Sequence, residues 1–144
     1  MSASSPTISG GSDSRLIEHS AAIAGRVLLA VLFLLSGLGK IGAYAETAAY
    51  MSATGVPGAL LPIVIATETL GSLAIILGWR TRIVAFLLAG FSLLTAITFH
   101  RHFADQNQLT HFLKNVSIAG GFLLLVAYGA GPWSLDQRRA MRSP

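Results

Sequence analysis

Cysteine is absent from this chain. Disulfides, thiolate metal sites and thiol redox chemistry are therefore excluded. Charge is scarce as well: Asp, Glu, Lys and Arg supply 11% of the residues, where a soluble domain has about a quarter. The sequence also lacks a phosphate-binding glycine loop, a dinucleotide fingerprint, a nucleophile elbow and a haem-type pair of histidines within apolar segments. What it has instead is apolar bulk. Of its 144 residues, the length of one domain, 53% are hydrophobic, and the mean hydropathy is +0.65. This composition implies an integral membrane protein.

Four apolar segments carry that bulk: about Ala21–Lys40, Ala59–Trp79, Ile83–Phe99 and Phe112–Gly129. Each is near the ~20 residues that cross ~30 Å of hydrocarbon as a helix. Helix is required, because no water is present to satisfy the backbone of an open strand. The third segment is short and could borrow a turn from "HRHF". Small residues recur at helical spacing, namely Ala85, Ala89, Ser92 and Thr95 on the third helix, Gly71, Ser72 and Ala74 on the second, and Gly120–Gly121 on the fourth. Such faces let membrane helices approach closely. The expected fold is an all-α, four-helix transmembrane bundle over residues 20–136. A polar, disordered tail is expected at 1–19 and a basic tail at 137–144. No charged leader runs directly into the first apolar segment, which is expected to be retained as an anchor.

The connections differ in kind. Arg80–Arg82 makes a tight hairpin. The stretch IGAYAETAAYMSATGVPG begins as a short amphipathic helix, with Tyr44, Ala48 and Met51 on one side, and ends in a turn. It is expected to lie along the interface, and Pro62 suits the first turn of the next helix. The formal charge is +4, yet the basic residues flank apolar segments. They therefore point to the lipid bilayer rather than to nucleic acid. Seven arginines (Arg15, Arg26, Arg80, Arg82, Arg138, Arg139 and Arg142) fall on one side, against Lys40, Arg101 and Lys114 on the other. By the positive-inside rule, both termini are expected in the cytoplasm of a bacterium, within its inner membrane. Trp79 and Trp133 then belong to the aromatic belt on that side.

One residue breaks the apolar pattern. Glu68 lies near the centre of the second segment, VIATETLGSLAIILG. A charge at that depth costs about 2.5–3.5 kcal/mol on insertion scales and marks a functional site by default. Glu68 must be neutral, paired or beside water. Lys114, followed by Asn115, lies at a similar depth in the fourth helix, and Lys40 ends the first. Arg26 shares a helix face with Phe33, Gly37 and Lys40. Two cations and one carboxylate are thus expected to look into the outward half of the bundle. The plainer alternative is an internal ion pair of Glu68 with Lys114 or Lys40, with Arg26 and Lys40 reaching toward headgroups. His100, His102 and His111 cluster near Asp105 at the outer face. They are expected as hydrogen-bonding residues at a pocket mouth, and only weakly as metal ligands.

These same residues carry a resemblance. GRVLLAVLFLLSGLGKI, Glu68 in its helix, LGWRTR, FH, HFLKNVSIAGGFLLL and GAGPWSLD, in that order, resemble the DoxX family of small bacterial inner-membrane proteins. The likeness runs from about Gly25 to Asp136. It implies a four-helix membrane bundle associated with membrane redox systems, the family name coming from a subunit of a thiosulfate:quinone oxidoreductase. The family's recurring polar positions fall on Arg26, Lys40, Glu68, His100, Lys114 and Asn115. The expected function is a redox-associated subunit that binds a quinone or similar lipid-soluble ligand. A redox protein or a second copy of the chain would be its partner. A non-catalytic scaffold or small transporter-like bundle is the alternative.

Overall fold

The computed structural model describes residues 10–142, with side chains from residue 13 onward. The helices are α1 (Gly10–Gly42), α2 (Tyr44–Ala53), α3 (Leu61–Leu77), α4 (Thr81–Phe99), α5 (Gln106–Tyr128) and α6 (Leu135–Ala140). A 3-10 turn, Gly58–Leu60, leads into α3. Four of these helices are long and apolar enough to cross a membrane. They are α1, α3 with its leading turn, α4 and α5, matching the four apolar runs.

The helix ends depart from the hydropathy reading. The stretch expected as a disordered tail is helical from Gly10, and its first part, residues 1–9, lies outside the described residues. A span already nucleated extends cheaply into residues that tolerate helix, and Asp13 suits the first turn. The fourth span starts at Gln106, six residues before Phe112, because the Asp105 carboxylate accepts from the N–H groups of Asn107 and Gln108. The third span gains its extra length at Thr81 and stops at Phe99, so "HRHF" adds no turn. Part of the expected basic tail forms α6, capped by the Ser134 hydroxyl at the Gln137 N–H.

The core is thin, and most large apolar side chains face outward as lipid-facing residues do. What is buried is largely small. Ala85, Ala89, Ser92 and Ala96 line the inner face of α4, with Ser72 and Ala74 on α3. Phe33 and Phe122 fill the centre edge to face, 5.4 Å apart. Gly37 explains how closely α1 meets α3. A Cβ there would fall 2.7 Å from Thr69 Cγ2 and 3.1 Å from Glu68 Cβ, so any side chain would drive the helices apart. Gly121 lies against the flexible end of Leu29 of α1, 3.0 Å from where a Cβ would stand, whereas Gly120 faces open space.

At the arginine-rich end the chain closes on itself. Arg26, 3% exposed, donates from Nη1 to the Ala130 carbonyl at 2.7 Å and from Nη2 to the Trp133 carbonyl at 3.1 Å. Asp136 accepts from the N–H groups of Arg80 at 2.7 Å and Thr81 at 2.8 Å. It thus caps α4 from a distant part of the chain. This clasp holds Arg80 in the left-handed region at φ 45, a conformation that costs a non-glycine residue about 1–2 kcal/mol. Partial burial works to raise the Asp136 pKa. The backbone donors of Thr81 and Arg80, with the nearby Arg139 charge, outweigh it and hold the carboxyl below its ordinary 3.8. A lowered carboxylate stabilises fully above its unfolded value and loses that contribution as pH falls through the folded one. In melts, the stability gap between the parent and Asp136→Asn should therefore be constant above about pH 5 and narrow steadily in more acidic buffers. A gap that does not change with pH would remove Asp136 ionisation from the clasp.

Candidate functional site

Glu68 is buried at the middle of α3, facing α1. Lys40, in the last turn of α1, places Nζ 2.9 Å from Oε1 and 2.8 Å from Oε2. Ser36, one turn back on α1, accepts from Lys40 Nζ at 2.6 Å and donates to Glu68 Oε1 at 3.3 Å. Ion pair and hydroxyl close a three-membered polar ring in an otherwise apolar interface. The absence of a side chain at Gly37 permits it, since Gly37 lies against Glu68 Cβ.

Two cavities meet at this ring. The first, about 460 Å³, lies between α3 and α4 under α2. Its walls are apolar (Met51, Leu60, Ile63, Phe91, Leu94, Phe99 and others), and Lys40, Glu68 and His100 stand in the lining. Tyr50 of α2 stacks on Phe99 of α4 with ring centres 5.7 Å apart, so α2 roofs the space. The second, about 230 Å³, lies on the α5 side and is lined by Ser36, Lys40, Glu68, His100, His111, Lys114 and Asn115. Both share Lys40, Glu68, Phe91, Thr95 and His100.

The sequence set therefore largely converges. Lys40, not Lys114, is the partner of Glu68. Lys114 is exposed and borders the polar cavity, with no ion-pair partner among the described residues. Asn115 also lines it and donates Nδ2 to the His111 carbonyl. His100 closes the outer end, with Nδ1 3.0 Å from Gln108 Oε1 and its ring stacked on His111 at 5.0 Å. His102 is exposed and lines neither cavity. No group of three His, Asp or Glu among the described residues is placed to hold a metal.

Arg26 is the correction. It shares the inner face of α1 with Ala30, Phe33 and Gly37, but its guanidinium points to the opposite end and is occupied by the Ala130 and Trp133 carbonyls. The 14-residue spacing that puts Arg26 and Lys40 on one face also separates them by about 21 Å along the axis. Arg26 belongs to the clasp and not to the site, nor does it reach for headgroups. The site residue that sequence reasoning missed is Ser36, whose signal was its i, i+4 spacing to Lys40.

Comparison with known proteins agrees with this architecture. The DoxX family matches residues 21–101. The chain belongs to the DoxX family. It is 47% identical over 121 residues to inner membrane protein YqjF of Escherichia coli K12, covering 84% of this chain and 93% of that protein. It is 36% identical over 121 residues to inner membrane protein YphA of the same organism, covering 78% and 86%. No solved structure matches. With four helices able to span a bilayer, this DoxX protein is an integral inner-membrane protein.

Proposed function

We propose that the protein binds a quinone or a similar lipid-soluble molecule in the roofed cavity, as a subunit associated with membrane redox chemistry. The observation that carries this reading is an ion pair, with Glu68 buried and Lys40 half-buried, standing in the wall of an apolar cavity of about 460 Å³. That volume is within the 300–1,000 Å³ range typical of small-molecule sites, which are mostly apolar with a few placed polar groups. The polar groups suit ring carbonyl oxygens. His100 offers an imidazole at the mouth, and Lys40, whose three N–H donors go to Glu68 and Ser36, offers a fixed positive charge rather than a free donor. Glu68 holds the Lys40 ammonium in place through both of its oxygens. The arginine count favours a cytoplasmic clasp and cavities that face the periplasm.

The test is extraction of bound small molecules from protein purified in mild detergent, beside Glu68→Gln. A lipid-soluble carbonyl compound should accompany the parent and fall at least about tenfold in the variant, the scale of a lost charged hydrogen bond. Equal occupancy in both, or none in either when both are folded, overturns the reading. A second reading has its own observation: Lys40, Glu68 and Ser36 satisfy one another without a ligand. In that case the ring orients the helices of a scaffold, and the empty but folded outcome is the expected one.

A further inference from the structure

The clasp end holds a third cavity, about 810 Å³, separate from the site above. Arg80 and Arg82 reach it from the α3–α4 turn and Arg139 from α6, and Asp136 is the one carboxylate in its lining. Both Asp136 oxygens already accept from backbone N–H groups. The fixed charge of the lining is therefore positive beyond what Asp136 balances. The same lining includes Ile83 and Tyr128, which are 59% and 81% exposed. They stand within the first turn of α4 and at the last residue of α5, where the spans leave the hydrocarbon. Cationic and apolar surface thus share one concavity at headgroup depth.

We infer that this cavity is a binding site for the phosphodiester headgroup of an anionic phospholipid. Arginine presents a planar fork matched to phosphate oxygens. Ile83 and Tyr128 lie where the glycerol and the first acyl carbons leave that headgroup. A free phosphate would use the arginines and leave the apolar edge uncovered. Basic pockets between spans on the cytoplasmic side take lipid headgroups by this chemistry. The bound lipid would also bridge the α3–α4 turn to α6, the two segments already joined by Asp136.

Both tryptophans of the chain, Trp79 and Trp133, stand at this end. Their fluorescence can therefore report the lipids around it. The full chain is reconstituted in vesicles containing brominated phosphatidylglycerol in phosphatidylcholine, or the reverse labelling, and quenching by each lipid is compared. The parent should favour phosphatidylglycerol, by about fivefold for each arginine that engages it. Arg80→Gln/Arg82→Gln should cut the preference to no more than the share of the remaining Arg139, and Arg138→Gln/Arg142→Gln, outside the cavity, should keep it. Equal quenching by both lipids in the parent overturns the proposal, without need of any variant. So does an equal loss in the two double variants, which would mean general surface charge. A preference abolished by millimolar inorganic phosphate, but not by chloride at equal ionic strength, identifies a soluble phosphate site and overturns the lipid assignment.

Discussion

Glu68→Leu should cost about 3 kcal/mol, the low end for breaking a buried pair, because it strands the Lys40 ammonium, whose side chain is 24% exposed. Lys40→Met should cost a similar amount by stranding the carboxylate. The double variant should recover most of the loss, since two well-packed apolar residues in place of a buried pair are often neutral or stabilising. The geometry supports so large a coupling: both Glu68 oxygens lie within 2.9 Å of Nζ, and the Glu68 side chain is 6% exposed. Thermal unfolding of the four proteins in one detergent measures it. Additive single-variant losses would show that the pair does not hold α1 to α3. The cycle also separates stability from ligand binding. A double variant that folds but carries no extracted ligand shows that the polar ring serves recognition.

Gly78→Ala should cost about 2–5 kcal/mol, while Gly90→Ala should be neutral or gain up to about 1 kcal/mol. Gly78 ends α3 at φ +67, where a side chain costs about 1–2 kcal/mol. An added Cβ would also collide with the Ser134 Cβ and come within 2.8 Å of Arg26 Nη1, and overpacking adds about 1–3 kcal/mol. Gly90 lies inside α4 with nothing within 4 Å of an added Cβ, so only the helical preference for alanine remains. The readout is the difference between the two melts. Equal melts would mean that the clasp contributes little to the folded state.

The four spans were legible because length and apolarity are properties of a continuous run, and so was the outlier status of Glu68. Helix ends were less so, since Gln106 to His111 are polar apart from Leu109 and add little to a hydropathy signal. The signal there was Asp105 ahead of two free N–H groups. The choice between Lys40 and Lys114 turned on distance between helices, which depth along each helix does not supply. Arg26 was misplaced for a different reason. Its acceptors are backbone carbonyls of Ala130 and Trp133, and no side-chain pattern marks a carbonyl. The small faces of α3 and α4, by contrast, were readable as spacing: Ser72, Ala74, Ala85, Ala89 and Ser92 are buried, while Gly71 and Thr95 are half-buried.

The distance along the chain between Arg26 and its first acceptor also sets an order of events during synthesis. The Ala130 carbonyl lies 104 residues downstream, which at about 5–20 residues per second is a delay of about 5–20 s. Throughout that interval the first span sits in the bilayer with a guanidinium whose protein acceptors do not yet exist. The Lys40–Glu68 contact, 28 residues apart, becomes available several times sooner. The nascent bundle thus secures its Lys40–Glu68 end early and its arginine-rich end last. A chain that has grown only as far as Tyr128 has its four spans made and Arg26 still without either acceptor.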